Sequence, residues 1–225
     1  MAGVTVLPSG REIASSFRMS LSVSQRHTEP YRYWIMTGVL PVQIAKALDM
    51  LEIDAPEKMD FTQGRRETNN ASRVYFNERN QALYPAARSV VEAFQAPDTV
   101  ELIERECDTD LSGTNLRIEF CQDRDGFWLE PHTDIGVKRF TMSIYLCRDW
   151  GADQLGTDIY DENLKHVSRA PSPFNSAMLF IPGKNTFHGF ERRPIKGVRR
   201  SLIVNYVGPE WRAREELAHP LIPVK

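Results

Sequence analysis

The sequence predicts an α+β fold in which helices pack on one face of a β-sandwich built from two sheets. Apolar residues recur at helical spacing in the first half of the 225-residue chain, and from Leu116 onward they recur at every second position. Glycines divide the second half as turns between short strands require; they are Gly126, Gly136, Gly151, Gly156, Gly183 and Gly197. Helices followed by short strands are typical of α+β domains.

The N-terminal residues 1–30 contain many serines and threonines and show little apolar periodicity. They are therefore predicted to form a loosely ordered arm, or a short edge strand, before the domain. The aromatic and branched residues 31–36 predict the first strand. Pro41 suits the start of a helix, because its missing N–H costs nothing in the first turn. That helix places four apolar residues on one face: Ile44, Ala47, Leu48 and Leu51.

Two further helices are predicted, over residues 81–94 and from about residue 99 to 107. The first has a buried stripe of Leu83, Ala87, Val90, Val91 and Phe94. The polar segment 63–80 precedes it and carries an isolated strand-like stretch, residues 74–76. The later predicted strands cover residues 116–120, 139–147, 157–160, 166–170, 177–181, 186–190 and 199–207. We therefore predict one domain over residues 31–210, followed by a tail of residues 211–225 that packs on its own domain or on a neighbour.

The composition is that of a globular domain and argues against several classes of protein. With 41% hydrophobic residues, 26% charged residues and a formal net charge of −2, the chain offers no general attraction for nucleic acids. It has no apolar stretch of roughly 18 residues and no signal-peptide pattern, so we expect no membrane association and a cytoplasmic location. Cys107, Cys121 and Cys147 are widely spaced and predict buried thiols. The pattern does not give the oligomeric state.

His132-Thr133-Asp134 and the distant His188 predict a metal site. In an extended strand, side chains two residues apart point to the same side, so His132 and Asp134 can bind one ion while Thr133 faces away. About four short strands fit between Asp134 and His188, which lets the chain return to the same place. Two imidazoles and a carboxylate can occupy one face of an octahedral ion, as in non-haem Fe(II) oxygenases. The remaining histidines are expected to be surface or structural residues: His27, His166 and His219.

Arg199 and Ser201 share one face of a strand and predict an anion site. A guanidinium can bind a carboxylate through two N–H groups, with a hydroxyl completing the contact, whereas a lysine offers only a point charge. The pair therefore predicts a dicarboxylate that is anchored at its far end. The alternative is that Arg199 is a solvated charge beside Arg200 and the nearby Arg192-Arg193.

Through His132, Asp134, His188 and Arg199-x-Ser201, the chain resembles the Fe(II)- and 2-oxoglutarate-dependent dioxygenases, in particular the prolyl-hydroxylase-like branch. The resemblance implies a double-stranded β-helix, a jelly-roll or cupin-like β-sandwich, with the N-terminal helices packed on one sheet. It implies that the two histidines and the aspartate bind Fe(II). It also implies that 2-oxoglutarate chelates this iron and reaches the arginine with its distal carboxylate.

The resemblance implies one more cosubstrate residue, Tyr145. Residues 139–146, followed by Asp149-Trp150, resemble the strand of prolyl hydroxylases whose tyrosine assists at the distal carboxylate. The alternative is a core aromatic residue with a solvated hydroxyl.

The chain departs from the family in two places. Residues 151–155 only approximate the usual glycine pair, and residues 120–122 contain no tyrosine for the inner end of 2-oxoglutarate.

The implied activity consumes Fe(II)-bound 2-oxoglutarate and O2 and hydroxylates an unactivated C–H bond, with succinate and CO2 as coproducts. Asp134 favours hydroxylation, because related halogenases replace this carboxylate with a small residue.

The substrate is expected to be a small polar molecule such as a free amino acid. Arg117 and Glu119 alternate with apolar residues, so both can face the interior of the sandwich. There Glu119 would pair with an ammonium group, and Arg117 or Arg73 would bind a carboxylate. The alternative is an exposed polar strand face.

Two other functions fit the same motifs. The enzyme could hydroxylate prolyl or other residues of a polypeptide, clamped by residues 63–80 and by the arm before Pro30. The domain could instead be a non-catalytic module of cupin type that holds a structural or sensory metal. Arg199-x-Ser201 argues against the module, since a site that binds only a metal needs no carboxylate anchor.

Overall fold

The structure is a computed structural model that describes residues 6–55, 72–149 and 151–225. Residues 1–5 of the predicted arm, residues 63–71 of the predicted polar segment and Trp150 lie outside the described residues. The described chain combines helices with antiparallel strands, which confirms the predicted α+β class. None of the helices described reaches the length and apolar character that a membrane span requires.

The described residues form a sandwich of a seven-stranded and a four-stranded antiparallel sheet. The large sheet has the order β1-β2-β9-β6-β11-β4-β3, and the small sheet has the order β5-β10-β7-β8. The strands are β1 (Gln25–His27), β2 (Tyr33–Thr37), β3 (Arg73–Tyr75), β4 (Asn115–Asp123), β5 (Leu129–His132), β6 (Lys138–Tyr145), β7 (Asp158–Tyr160), β8 (His166–Arg169), β9 (Ser176–Phe180), β10 (His188–Phe190) and β11 (Arg199–Val207).

Helices pack on the face of the large sheet that points away from the small sheet. They are α1 (Gly10–Ser22), α2 (Val42–Asp49), α3 (Glu78–Leu83), α4 (Pro85–Gln95) and α5 (Pro97–Cys107). Their apolar residues share one core with alternate residues of β4, β6 and β11. Tyr206 on β11 is fully buried and donates a hydrogen bond of 2.6 Å to the carbonyl oxygen of Phe94 on α4. This bond links the helical layer to the sheet.

Strand β4 has two faces with different surroundings, because side chains alternate along a strand. Ile118 and Phe120 belong to the apolar core beneath the helices. Glu119, Cys121 and Asp123 line a cavity between the two sheets. The prediction that a charged residue of this strand faces the interior is therefore confirmed for Glu119. The alternative of an exposed polar face is wrong, because every residue of β4 is buried.

The predicted loosely ordered arm is wrong over residues 10–22, which form helix α1. Ser9 and Glu12 form a capping box, in which the Ser9 hydroxyl accepts from the Glu12 backbone N–H and the Glu12 carboxylate accepts from the Ser9 backbone N–H. The helix buries three apolar residues spaced four apart: Ile13, Phe17 and Leu21. The box and this stripe were the signals, and the serine-rich composition obscured them. β1 is the short edge strand that the sequence offered as an alternative.

The helix predicted over residues 81–94 is two helices, α3 and α4, which separate at Tyr84. Tyr84 has extended backbone, because Pro85 disfavours the helical conformation in the residue before it. Leu83 is consequently 57% exposed, and its predicted burial is wrong.

Each strand predicted from residue 116 onward is present, with ends shifted by a few residues at most. β5 was not predicted as an element of its own. It is short and contains Pro131, which cannot donate a ladder hydrogen bond and weakens the strand signal.

The C-terminal tail packs on its own domain. The backbone N–H of Ala218 donates to Leu116 O at 2.9 Å, and that of Val224 donates to Thr114 O at 2.9 Å. The three cysteines are buried and free, as predicted.

Phe17 provides a test of whether α1 belongs to the core. It is fully buried and packs edge-to-face on Phe94, with ring centroids 5.2 Å apart. We expect Phe17→Ala to lower the free energy of unfolding by about 3–5 kcal/mol, because it leaves a cavity in the core. The matched control is Met19→Ala on the same helix, where the side chain is 69% exposed and a change within about 0.5 kcal/mol is expected. Urea unfolding measures both, and equal costs would contradict the assignment.

Candidate metal centre

His132, Asp134 and His188 converge at the edge of the small sheet. His132 ends β5 and is the direct cross-strand partner of His188, which begins β10, and the two ring centroids lie 4.4 Å apart. Asp134 follows in the loop after β5. One ligand atom from each residue lies within 4.8 Å of the other two. The three side chains that the sequence singled out are therefore close enough to share one ion.

Gly189 allows this approach of the two strands. A Cβ atom at Gly189 would lie 2.6 Å from the backbone carbonyl oxygen of Leu129 on β5. Any other residue would push β10 away from β5 and separate the two imidazoles.

Both imidazoles are oriented in the same way by the backbone. Nδ1 of His132 lies 2.9 Å from Glu130 O, and Nδ1 of His188 lies 2.9 Å from Thr186 O. A carbonyl oxygen accepts only, so each Nδ1 carries the proton and each Nε2 is the nitrogen suited to a metal. Burial also lowers the pKa of His188, which favours the neutral form that binds metals.

Both oxygens of Asp134 are held by neighbouring side chains. Lys138 Nζ donates to Oδ1 at 2.7 Å, and the Thr141 hydroxyl donates to Oδ2 at 2.7 Å. Burial opposes ionisation of Asp134, but the charge of Lys138 and these hydrogen bonds outweigh it. They hold the pKa of this carboxyl well below its usual range, so Asp134 is an anion at neutral pH. Two neutral imidazoles and a carboxylate are a suitable donor set for Fe(II).

A cavity of about 260 Å³ extends from these three residues between the sheets. Arg199 and Ser201 on β11 line its floor, and both are buried. Nε of Arg199 donates to Leu155 O at 2.7 Å, and Nη1 donates to the carboxylate of Asp123. The predicted anion site therefore lies in the same cavity as the predicted metal site. The alternative of a solvated Arg199 is wrong.

Tyr145 lies next to this site, but its hydroxyl is engaged elsewhere. It is the cross-strand neighbour of Ser201. Its hydroxyl donates to Thr157 Oγ1 at 2.9 Å and accepts from the Thr157 backbone N–H at 3.2 Å. Among the described residues, Thr157 lines the cavity and Tyr145 does not. A direct contact between Tyr145 and a cosubstrate remains a prediction.

The three charged residues predicted for substrate binding have different positions. Glu119 is fully buried and accepts hydrogen bonds from Arg73, Arg117 and Asn205, so its oxygens are already occupied. Burial opposes its ionisation, but the two arginines outweigh this and lower the pKa of Glu119 to about 2. Arg73 lines the cavity. Arg117 is not among the cavity-lining residues of the described chain, so its position does not support the predicted role.

Arg117 belongs to a cluster beside the cavity. Its guanidinium lies over the rings of Tyr75 and Trp211, at 4.8 and 4.5 Å, and its Nε donates to Glu216 at 2.7 Å. These contacts explain why Arg117 does not line the cavity.

Among the cavity-lining residues that the sequence did not identify, four make the hydrogen bonds described above: Asp123, Lys138, Thr141 and Thr157. A signal existed for Asp123, because it continues the alternation of Arg117 and Glu119 on the same strand. Lys138 and Thr141 were within the predicted strand or next to it, but nothing in their spacing connects them to Asp134.

No protein-family model matches the sequence, and no curated protein matches it either. Solved structures do match. Prolyl 4-hydroxylase from Phytophthora capsici gives a TM-score of 0.61 at 13% identity, covering 92% of this chain and 69% of that chain. A prolyl hydroxylase from Trichoplax adhaerens, in complex with a hypoxia inducible factor peptide fragment, gives 0.56 at 11% identity, over 88% and 90%. The non-heme alpha ketoglutarate dependent epimerase SnoN from nogalamycin biosynthesis gives 0.51 at 13% identity, over 89% and 83%.

This chain therefore has the fold of these two prolyl hydroxylases and of the alpha ketoglutarate dependent epimerase. The resemblance predicted from the motifs is confirmed at the level of the fold. At these identities the likeness shows the architecture, and the residues of the site determine the chemistry.

Replacing Thr141 tests whether its hydrogen bond to Asp134 contributes to metal binding. Thr141→Val keeps the shape of the side chain but removes its hydrogen bond to Asp134. Replacing a residue that hydrogen-bonds to a metal ligand typically weakens metal affinity 10- to 100-fold. We expect Mn(II) to bind the variant about 10- to 100-fold more weakly, measured by titration with the EPR signal of free Mn(II). The control is Ser143→Ala, which also lines the cavity from β6. Equal Mn(II) affinity in wild type and Thr141→Val would contradict the role of Thr141.

Proposed function

We propose that this protein is an Fe(II)- and 2-oxoglutarate-dependent dioxygenase that hydroxylates an unactivated C–H bond. The observation that carries the proposal is one cavity lined by His132, Asp134 and His188 together with Arg199 and Ser201. The first three residues are the ligand set typical of non-haem Fe(II) oxygenases. The last two suit the distal carboxylate of 2-oxoglutarate. The fold shared with two prolyl hydroxylases and with an alpha ketoglutarate dependent epimerase supports the assignment.

When bound, Fe(II) and 2-oxoglutarate supply the oxidising chemistry, which consumes O2 and releases succinate and CO2. The contribution of the chain is to hold and orient the participants. Hydrogen bonds from Nδ1 to backbone carbonyls fix the rings of His132 and His188. Lys138 and Thr141 hold Asp134 ionised. The carboxylate of Asp134 favours hydroxylation over halogenation, because it occupies the position that a halide would need.

We also propose that the strands from β4 to β11 form a double-stranded β-helix, or jelly roll. Four of them, in the order β4-β11-β6-β9, lie side by side in the large sheet. The other four, in the order β5-β10-β7-β8, make the small sheet. These two sets of four antiparallel strands, with the chain crossing from one sheet to the other, support the assignment to this class.

For the substrate we propose a small polar molecule that carries a carboxylate, such as a free amino acid. Arg73 is the residue best suited to bind that carboxylate, because it lines the cavity and 22% of its side chain is exposed. Glu119 is less suited to an ammonium group, since its oxygens already accept hydrogen bonds from the chain. Lys138 adds a further positive charge to the cavity wall, besides Arg73 and Arg199.

A polypeptide substrate is the second candidate. Likeness to two prolyl hydroxylases, one of them solved with a peptide fragment, supports it equally well at the level of the fold. Both candidates use the same metal ligands and the same anchor for 2-oxoglutarate.

An anaerobic titration tests the proposed cosubstrate site. We expect Fe(II) with 2-oxoglutarate to give the weak visible charge-transfer band of the chelate. We expect Arg199→Lys to raise the 2-oxoglutarate concentration needed for half of that band at least about tenfold, because lysine cannot replace the forked guanidinium. The control is Arg200→Lys, a neighbouring arginine that pairs with Asp49 outside the cavity. Absence of the band in the wild type would favour a non-catalytic metal-binding module.

A turnover screen separates the substrate classes. We expect free amino acids, but not prolyl peptides, to stimulate succinate formation above the rate without substrate, and we expect Arg73→Met to abolish that stimulation while leaving the charge-transfer band. Succinate and hydroxylated product are both measured by mass spectrometry. Stimulation by peptides alone would replace the small-molecule proposal with the second candidate.

A further inference from the structure

The proposed anchor for 2-oxoglutarate already holds a carboxylate from the chain itself. Asp123 on β4 and Arg199 on β11 are direct cross-strand partners, so their side chains share one face of the sheet. Nη1 of Arg199 donates to Oδ2 of Asp123, and both side chains are buried. The sheet register keeps them adjacent. An incoming carboxylate therefore meets this arginine beside Asp123.

Little of the Arg199 guanidinium remains for a ligand. Nε is bound to Leu155 O, and the ring of Phe190 covers one face at 4.6 Å from the central carbon. Nη2 makes no hydrogen bond to the residues that the structure describes. A carboxylate bound at Nη2 has to lie close to the carboxylate of Asp123.

The charges around Asp123 are already balanced. Arg199 from β11 and Arg73 from β3 face it, and the Cys121 thiol lies two residues before it on the same strand face. The facing side chain from β10 is the apolar Phe190. Arg73 in turn is paired with Glu119. Glu119 also pairs with Arg117, which pairs with Glu216, so three arginines already face three carboxylates of the chain. A ligand carboxylate at Arg199 would therefore be a fourth carboxylate beside these three arginines.

We propose that Asp123 takes up one proton from solvent when a dicarboxylate binds at Arg199, and that it thereby sets the affinity of the cosubstrate site. The neutral carboxyl group then donates a hydrogen bond to the ligand carboxylate, and the charge of Arg199 is shared with the ligand. This inference rests on the proposed function. Two carboxylates in one site generally share a proton, because both cannot remain ionised at contact distance.

The surroundings of Asp123 support proton uptake. Burial raises the pKa of Asp123, and the two arginines only partly oppose this, so the carboxyl is easier to protonate than an exposed aspartate. A second carboxylate nearby raises the pKa further. The liganded protein then binds more protons than the free protein, so ligand affinity falls as the pH rises between the two pKa values. One linked proton corresponds to at most about a tenfold change in affinity per pH unit.

Calorimetry with 2-oxoglutarate and Mn(II)-loaded protein tests the proposal. Titrations between pH 6 and 8.5, in buffers with different ionisation enthalpies, report the number of protons taken up. We expect the wild type to take up close to one proton and to lose affinity as the pH rises. We expect Asp123→Asn to remove most of this proton uptake. At the highest pH it should bind 2-oxoglutarate at least about tenfold more tightly than the wild type does. The amide still accepts from Arg199 and donates to the ligand.

Asp49→Asn is the matched control, because Asp49 also pairs with arginines, Arg148 and Arg200, but lies outside the cavity. It should retain the pH dependence of the wild type. Thermal unfolding confirms that each variant is folded. If Asp123→Asn does not fold, the test is the number of protons that the wild type takes up when it binds 2-oxoglutarate. A number near zero overturns the proposal.

The remaining outcomes separate this inference from the proposed function. If the wild type binds 2-oxoglutarate and Asp123→Asn binds it with the same affinity and the same pH dependence, the inference alone is overturned. Weaker binding by Asp123→Asn at every pH also overturns it and makes Asp123 only a positioning residue for Arg199. If neither protein binds 2-oxoglutarate at any pH, the proposed function fails and the inference fails with it.

Discussion

The antiparallel pairing of β11 with β4 and β6 is the constraint on which both the core and the site depend. Side chains alternate along each strand, so one set faces the helices and the other faces the small sheet. On β11, Val204 and Tyr206 are fully buried in the apolar core, whereas Arg199 and Ser201 line the cavity. A register slip of one residue would exchange the two sets and put charges under the helices. The same pairing therefore specifies the packing and the site.

The buried charges on the cavity floor are tolerated because they are paired. Glu119 lies between Arg73 and Arg117, and Asp123 holds Arg199. Removing one member of such a pair leaves an uncompensated buried charge, which typically costs about 3–5 kcal/mol. These residues consequently stabilise the sandwich as well as shaping the cavity. Any anion that enters has to compete with carboxylates that the chain already supplies.

The two ends of the cavity are prepared in different ways. At the metal end, backbone carbonyls orient His132 and His188. At the anion end, the orienting group is Asp123, a carboxylate like the ligand itself. Metal binding is therefore expected to depend on hydrogen bonds that persist in the complex. Binding of the dicarboxylate is expected to depend on rearranging the charge around Arg199.

Local patterns in the sequence were sufficient for part of the fold and part of the site. Period-two alternation predicted the strands of the second half, because that signal lies within single strands. The close spacing of His132 and Asp134, together with a distant third ligand in His188, predicted a shared ion site. Helix α1 is also encoded locally, by Ser9, Glu12 and its apolar stripe, although the serine-rich composition obscures these signals. Pro85 likewise carried the information that separates α3 from α4.

What the tertiary structure alone decided were the contacts between strands that are distant in sequence. The register of β4 against β11 brings Asp123 opposite Arg199. The packing of Trp211 and Tyr75 turns Arg117 away from the cavity. The loop before β7 brings Thr157 to the Tyr145 hydroxyl. Periodicity specifies which face of a strand a residue occupies. It does not specify which strand lies beside it, because that depends on how all the apolar faces are buried together.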